Sequence, residues 1–283
     1  MSQHPPAPGV RVIAIANQKG GVGKSVSSAS LAAELAQRGH QTLLVDADPQ
    51  ANATAHFLPY EKVTVSIGDV LVELGTTETV PFKAAIVETE LERLDLVPSS
   101  IKFSNFEKEP SIAISRLRTH LDALSEDYEY VIIDTPPTLG QILTTSLLAS
   151  THMLIPVSAH PLAQDGLQYL MHTFKQVCGL NPRLKLLGIV STMFDTRTTV
   201  SAESHKMLVE KFGEMVFDTM IHTNVKLAES PSYNRPVQLY APNSRAAVLY
   251  SDLTDEILAR LKAMTGSKNI HLLKDKGSVS AAK

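Results

Sequence analysis

The chain has few cysteine and aromatic residues, and these shortages exclude several classes of protein. It contains one cysteine, Cys178, and no tryptophan among 283 residues, and 5% of its residues are aromatic. One cysteine cannot form a disulfide within the chain, which agrees with a reducing, cytoplasmic location. A free thiol of this kind is expected to be a small buried hydrophobe rather than a nucleophile.

Long hydrophobic runs and a strong charge of one sign are also missing. No run of apolar residues approaches the length of a membrane-spanning helix, and the beginning, MSQHPPAPG, has no apolar signal core. The net charge of −3 means that nucleic acid could bind only at a local basic patch. Hydrophobic residues make up 43% of the chain, which is enough for the core of one large α/β domain or two small ones.

A strand, a glycine-rich turn and a helix are predicted in succession over residues 11–25, RVIAIANQKGGVGKS. A phosphate-binding loop needs this context, because glycines let the backbone approach phosphates and aim several N–H groups at one anion. The helix that opens at Lys24 adds the positive end of its dipole. Lys24 is expected to reach the β- and γ-phosphates, and the Ser25 hydroxyl to ligate Mg²⁺. The remaining nucleotide contacts of the loop are assigned to Gly20, Gly21, Val22 and Gly23.

Acidic residues end two predicted strands that follow this loop. Thr42 to Val45 leads into Asp46 and Asp48, and the apolar run that begins at Tyr130 leads into Asp134. The carboxyl ends of parallel strands face the ligand crevice of an open α/β sheet. Asp134 is therefore a candidate to hold Mg²⁺ through water, and a carboxylate at Asp48 could orient an attacking water. The alternative is that Asp46 and Asp48 only cap a loop.

Predicted strands alternate with predicted helices from residue 11 to about residue 264. This alternation favours an α/β fold with a doubly wound, mostly parallel sheet and crossover helices. Residues 1–10 and 265–283 are polar, so we expect a disordered lead and a disordered tail on either side of one domain at 11–264. The other predicted strands are 94–97, 151–157, 185–192 and 215–221; the predicted helices are 25–38, 66–74, 112–124, 165–177, 201–212 and 246–264; 222–236 is predicted to be a loop.

Four blocks of the sequence resemble the ParA family of ATPases, and the resemblance extends over about residues 11–262. The blocks are QKGGVGKS, DADPQANAT, VIIDTPPTLG, and TMFDTRT together with NVKLAESPS. The first block, with Lys19 and Lys24 at the ends of its loop, is similar to the deviant Walker loop of P-loop NTPases in the ParA/MinD superfamily. In that superfamily the first lysine reaches the nucleotide of a partner subunit. The resemblance therefore implies a homodimer that encloses ATP and Mg²⁺.

Roles for further residues are implied by the same resemblance. Asp46 would support the Mg²⁺ shell, Asp48 would lie near the attacking water, and Asn224 would contact adenine. A ParB-like adaptor would stimulate slow ATP hydrolysis, in the cytoplasm at the nucleoid, to segregate plasmid or chromosomal DNA. The ATP-bound dimer would bind double-stranded DNA without sequence preference. Its basic surface would include Arg197 and Lys226, with Lys206, Lys211, Arg235 and Arg245 as further candidates.

The sequence departs from the family pattern at two places. Val26 stands where a second threonine is usual, so only its backbone N–H is expected to contact phosphate. The frequent I-P-R-N stretch is Ile221 to Asn224 here, I-H-T-N, which keeps the asparagine and lacks the arginine. The basic DNA surface is therefore expected to be smaller than in the family.

Several alternatives remain open at the level of sequence. The same ATPase could position a protein cluster rather than DNA, and neither the cargo nor the adaptor can be read from the residues. A membrane-cycling ATPase like MinD would need an amphipathic tail, which residues 265–283 do not provide, so no membrane partner is expected. A metal-cluster enzyme of this fold would need paired cysteines. Only ten residues precede the first strand, so the helix-turn-helix module of longer ParA proteins is not expected. The last alternative is a binding module that does not hydrolyse ATP.

Overall fold

A mixed seven-stranded sheet organises the computed structural model, which describes residues 9–73, 80–160 and 165–266. The strand order is β3-β4-β2-β5-β1-β6-β7. Every neighbouring pair is parallel except β3 with β4, which is antiparallel at the sheet edge. The predicted α/β class with a doubly wound, mostly parallel sheet is confirmed. The strands are β1 Arg11–Ile15, β2 Thr42–Asp46, β3 Val87–Glu88, β4 Leu94–Val97, β5 Tyr130–Asp134, β6 His152–Ser158 and β7 Lys185–Thr192.

Helices cover both faces of this sheet because the strands bury apolar side chains on both sides. In β1, Val12 and Ala14 pack with α3, α4 and α5, whereas Ile13 and Ile15 pack with α1 and α9. Among the described residues the sheet is thus the middle of three layers. The helices are α1 Lys24–Gln37, α2 Ile67–Leu71, α3 Arg116–Asp122, α4 Gln141–Ala149, α5 Asp165–Leu180, α6 Thr199–Phe212, α7 Val225–Glu229, α8 Val237–Tyr240 and α9 Arg245–Gly266.

Helix α1 fixes the phosphate-loop region against the rest of the fold. Its apolar residues Leu31 and Leu35 are buried under the sheet, and Gly39 follows it with a left-handed φ of +92°. The Ser27 hydroxyl lies 3.0 Å from the buried hydroxyl of Tyr250 on α9. Helix α1 therefore begins at the loop and is held at its first turn by the last helix of the domain.

The strand predicted at 215–221 is wrong. Val216 makes only an isolated parallel bridge with Ile189 of β7. The backbone N–H groups of Asp218 and Thr219 donate instead to the carboxylate of Glu256 on α9, at 2.9 and 2.8 Å. Because a side chain takes these donors, no ladder continues along the segment.

Two other predictions near the carboxyl-terminal half need correction. The stretch 222–236 is not simply a loop, because α7 begins after Asn224, whose side chain caps it, and a 3₁₀ turn Ser230–Tyr233 follows. Helix α5 does not end at Val177, as predicted, but runs to Leu180. The next residue, Asn181, directs its side-chain amide at three carbonyls at and just after the end of α4, those of Leu147, Leu148 and Ser150.

Two predicted helices in the middle of the chain are shorter than expected. Helix α2 opens with a capping box of Ser66 and Asp69 and ends at Leu71, because Val72 is extended. Residues 111–115 form a 3₁₀ turn after Pro110, so α3 begins only at Arg116. Residue 74, the last of the helix predicted at 66–74, lies outside the described residues.

Most of the predicted lead and most of the predicted tail lie outside the described residues as well. Within the described ranges, no helix has the length and apolar character that crossing a membrane requires.

Candidate functional site

The glycine-rich loop is shaped by two left-handed glycines and anchored by two polar side chains. Gly21 and Gly23 have φ of +69° and +81°, a conformation that other residues rarely adopt. Buried Asn17 donates its side-chain amide to the Pro156 carbonyl at 2.6 Å and accepts the Lys19 N–H at 3.0 Å. The loop is thereby fixed to β6 at the carboxyl edge of the sheet.

A second anchor comes from β7. The Thr192 hydroxyl donates to the Val22 carbonyl at 2.9 Å, and both residues are buried. Residues of β6 and β7 thus hold the loop where the predicted phosphate site lies.

The two lysines of the loop differ in environment. Lys24 is only 6% exposed, and its ammonium donates to the Lys19 carbonyl at 3.3 Å. Burial lowers the pKa of Lys24, and the nearby carboxylates of Asp134 and Asp48 oppose that shift. Lys19 is exposed, so its side chain is accessible from outside the protomer.

Asp46 and Asp134 end adjacent strands in register, and both are completely buried. Burial, and after it the charge of Asp134, raises the pKa of Asp46. One oxygen of Asp46 accepts the Asp48 N–H at 3.0 Å, and the other accepts the N–H and hydroxyl of Thr54 at 2.7 and 2.8 Å. Asp46 is therefore turned into the loop that follows β2 and holds that loop in shape.

The two carboxylate oxygens of Asp134 differ in their contacts. Its Oδ1 accepts the Ser28 hydroxyl at 2.8 Å, whereas its buried Oδ2 makes no hydrogen bond of ordinary geometry with any residue that the structure describes. Burial raises the pKa of this carboxyl, and the hydroxyls of Ser25 and Ser28 oppose that shift most strongly. A buried carboxylate oxygen beside the Ser25 hydroxyl and a second carboxylate fits Mg²⁺, which prefers oxygen ligands.

No group of three histidine, cysteine or acidic side chains that could hold a metal ion occurs in the described ranges. Mg²⁺ usually takes one or two carboxylates and completes its shell with phosphate and water.

Asp48 is placed near the loop lysine by a tight turn after β2. It is 5% exposed, and its Oδ1 accepts the Gln50 N–H at 3.0 Å. The turn includes Ala51, a non-glycine residue with a left-handed φ of 56°, whose N–H donates to the Asp48 carbonyl at 2.8 Å. The charge of Asp48 acts on both Lys24 and Asp134, so these three groups share one site.

The other predicted residues lie in the segments after β7. Asn224 is half-buried, and its side-chain oxygen caps α7 by accepting the Lys226 N–H at 2.9 Å. Thr223 donates its N–H to the Phe194 carbonyl at 3.1 Å, which ties this segment to the end of β7 beside Thr192. Lys226 and Arg197 are exposed, and each forms an ion pair with a carboxylate of its own segment.

Four residues that support the site were not predicted: Asn17, Ser28, Thr54 and Thr192. Asn17 lies just before the first quoted block and Thr54 ends the second, but Asn17 binds the Pro156 carbonyl and Thr54 the Ser99 N–H, both far away in sequence. Thr192 opens the quoted block TMFDTRT, but no local pattern indicates its bond to the Val22 carbonyl, 170 residues away. Sequence motifs therefore identify the groups that face the ligand better than the groups that hold them.

Comparison with known proteins agrees with this geometry. Residues 10–186 match the family model AAA_31, described as an AAA domain. The chain is 40% identical over 255 residues to the sporulation initiation inhibitor protein Soj of Bacillus subtilis (strain 168), covering 88% of this chain and 98% of Soj. It is 37% identical to the chromosome partitioning protein ParA of Caulobacter vibrioides, covering 89% of this chain and 95% of that protein.

Solved structures show the same fold with nucleotide. Cobyrinic acid a,c-diamide synthase from Mycobacterium smegmatis, with bound ATP analog and magnesium, has a TM-score of 0.76 and 31% identity over 90% of this chain and 97% of that chain. A plasmid partition protein of Borrelia burgdorferi bound to AMPPNP has a TM-score of 0.72 and 27% identity over 90% of this chain and 99% of that chain. With its deviant Walker loop, its two acidic strand ends and these relatives, the chain belongs to the ParA/Soj family of partition ATPases.

Proposed function

We propose that this protein is an ATP-dependent dimeric switch that binds DNA without sequence preference in its ATP state and segregates plasmid or chromosomal DNA. The observation that supports this most strongly is the buried pair of Asp46 and Asp134 beside the loop lysine Lys24. Buried carboxylates that face a phosphate loop suit a hydrolase for nucleoside triphosphates that uses Mg²⁺.

Binding of ATP would rest on the loop backbone and the buried lysine. The N–H groups from Gly20 to Val26 would surround the phosphates, and the Lys24 ammonium would exchange the Lys19 carbonyl for phosphate oxygens. Ser25 and Asp134 would hold Mg²⁺, with Asp46 supporting that shell. Mg²⁺ supplies positive charge that neutralises the β- and γ-phosphate oxygens. Asn224 would contact the adenine.

Hydrolysis would depend on Asp48. Its Oδ1 is occupied by the Gln50 N–H, which leaves Oδ2 to orient the attacking water. A carboxylate in this place positions water and is a weak base, so slow turnover is expected until a ParB-like adaptor completes the site.

Dimer formation would depend on Lys19. The backbone of Lys19 is anchored by Asn17, while its side chain is exposed and forms no ion pair in the described part of the chain. A long cation with this placement can reach the triphosphate of a second protomer. Closing the dimer around ATP would then bring two copies of Arg197 and Lys226 together on a DNA-binding face.

A comparison of Lys19→Ala with Lys62→Ala, another exposed lysine, tests this proposal. Light scattering would give the mass of each protein with Mg²⁺ and AMPPNP, and a fluorescent nucleotide would report binding. We expect wild type and Lys62→Ala to dimerise, and Lys19→Ala to bind nucleotide yet stay monomeric. An ATP-dependent dimer of Lys19→Ala would contradict the assigned role.

The cargo and the cellular location are further parts of the proposal. Segregation of DNA is supported by the names of two relatives, a chromosome partitioning protein and a plasmid partition protein, and we place it in the cytoplasm at the nucleoid. Positioning of a protein cluster would use the same ATPase with a different adaptor. A pull-down with the adaptor encoded by the same genome, followed by tracking of that adaptor in cells, would separate the two cargoes.

A further inference from the structure

Each of the two cations assigned to the DNA surface is paired with a carboxylate from its own segment. Arg197 donates from Nε and from a terminal nitrogen to the two oxygens of Asp195, at 2.9 and 2.8 Å. Lys226 donates from Nζ to Oε2 of Glu229 at 2.9 Å. The carboxylates thus occupy the fork of Arg197 formed by Nε and one terminal nitrogen, and one of the three N–H donors of Lys226.

Asp195 occupies the edge of the Arg197 guanidinium that can make two parallel hydrogen bonds, through Nε and one terminal nitrogen. The Arg197 side chain is 85% exposed, whereas that of Asp195 is 24% exposed. Asp195 is held in place because its Oδ1 also accepts the Arg197 backbone N–H at 3.0 Å. A phosphate prefers the same fork of two N–H donors, so phosphate and carboxylate compete for it.

The pair of Lys226 and Glu229 is supported by two tyrosines. Oε2 of Glu229 also accepts the Tyr240 hydroxyl at 2.8 Å, and the Lys226 ammonium lies 5.3 Å from the centre of the Tyr240 ring. The Tyr240 ring stacks on Tyr233 with 4.7 Å between centroids. Glu229 is therefore fixed next to the cation rather than free to swing away when DNA arrives.

We propose that the carboxylates of Asp195 and Glu229 weaken the binding of DNA to this surface. A single protomer then has low affinity for DNA, and stable binding needs two protomers. This inference rests on the proposed function. Exposed ion pairs are weak and exchange readily, so a phosphate can replace the carboxylate. The displaced carboxylate stays beside the phosphate and repels it, which lowers affinity. A neutral pair also attracts DNA less at long range than a free cation does.

The amide variants Asp195→Asn and Glu229→Gln test this role without removing the local contacts. Asparagine keeps an oxygen that accepts the Arg197 N–H, and glutamine keeps an acceptor for Tyr240. A suitable control is Asp127→Asn, which removes the same charge from an exposed pair with Lys83 just before β5, at the opposite edge of the sheet from the nucleotide loop. Circular dichroism and thermal unfolding of each variant would verify the fold.

Fluorescence anisotropy with a short random-sequence duplex, in Mg²⁺ with AMPPNP or ADP, would measure affinity over a series of salt concentrations. We expect each amide variant to bind DNA about fivefold more tightly than wild type, the factor that corresponds to a strong exposed ion pair. The slope of log affinity against log salt should steepen by roughly one for each freed cation. The double variant should also bind in ADP, where wild type does not.

Failure of this inference is distinguishable from failure of the proposed function. If wild type binds DNA in AMPPNP and both amide variants match Asp127→Asn in affinity and salt slope, the inference is wrong and the proposed function stands. If wild type binds in neither state but the double variant binds, the carboxylates act as inferred and the natural chain is not a DNA-binding switch. If no protein binds in either state, both fall.

Discussion

Asp46 and Asp134 are register partners in the parallel pairing of β2 and β5, and both carboxyl groups are completely buried. Burial raises the pKa of both groups, and the charge of Asp134 adds to the shift of Asp46. Two buried carboxylates side by side favour binding of a cation, because a cation removes their mutual repulsion. The register of β2 and β5 thus places two carboxylates side by side, where Mg²⁺ bound with ATP would neutralise their charges.

Asp134→Asn should lose most of the effect of Mg²⁺ on nucleotide binding. In wild type, adding Mg²⁺ to protein with ATP should raise the unfolding temperature, because a ligand that binds the folded state stabilises it. The amide replaces a charged ligand with a neutral one, so the additional rise with Mg²⁺ should nearly vanish. The unfolding temperature in the presence of ATP, measured with and without Mg²⁺, would give this additional rise. The control variant Asp122→Asn, which changes an exposed acidic residue on α3, should behave like wild type. If Asp134→Asn shows the same rise with Mg²⁺ as wild type, Asp134 does not belong to the metal site.

Thr54→Val should destabilise the protein by about 3 kcal/mol, although valine has nearly the same shape. The Thr54 hydroxyl donates to Asp46 at 2.8 Å and accepts the Ser99 N–H at 3.0 Å, so valine leaves buried groups without partners. Thr54→Ser keeps the hydroxyl and should lose only about 1 kcal/mol for the missing methyl. The free energy of unfolding in urea would compare the two variants. Equal losses would show that the hydroxyl contributes little.

Ala51→Gly should stabilise the protein by about 0.5 kcal/mol. Alanine in the left-handed region is disfavoured by about 1–2 kcal/mol, and the greater freedom of glycine in the unfolded chain offsets part of the gain. Ala53→Gly is the matched control, because Ala53 is fully buried with an ordinary φ of −70°. That variant should be less stable than wild type by about 1 kcal/mol or more. If urea unfolding shows that both substitutions change the free energy of unfolding in the same direction, the inferred strain at Ala51 is contradicted.

Stability should fall as the pH decreases from about 6.5 towards 4, partly because of His56. Burial lowers the pKa of His56 to about 4. Between that value and the ordinary value of 6.5, the unfolded chain binds a proton that the folded chain does not, so the free energy of unfolding rises with pH. One such histidine contributes up to about 3 kcal/mol over this window. His152, whose pKa is also lowered to about 4 by burial, contributes in the same direction.

His56→Gln should therefore flatten the dependence of stability on pH. Urea unfolding at several pH values above 5 would measure how the free energy of unfolding changes with pH. Most carboxyl groups do not titrate in that range, so they contribute little to the slope. The exposed His172 gives the control His172→Gln, which should keep the slope of wild type. An unchanged slope in His56→Gln would mean that His56 does not stay neutral in the folded protein.

The sequence was sufficient for the parts of the site that depend on local patterns. Glycines before Lys24 and acidic residues at the ends of apolar runs predict both the loop and the carboxylates, because strand ends in such a sheet share one edge. Arg197 and Lys226 were identified as cations, but their pairing with Asp195 and Glu229 needs side-chain geometry. The strand predicted at 215–221 failed because Glu256, distant in sequence, takes its backbone donors. Contacts of that kind are decided by packing of α9, which no local pattern reports.

Binding of random-sequence duplex DNA, measured with Mg²⁺ and ATP, with Mg²⁺ and ADP, and without nucleotide, tests the proposed switch most directly. Each state would be measured at low and at moderate salt, with Arg197→Glu and Lys226→Glu as variants. We expect binding only with ATP, weakened steeply by salt because it depends on counterion release, and lost in both variants. Equal binding in all three nucleotide states, or no binding in any of them, would contradict a DNA-binding switch driven by ATP.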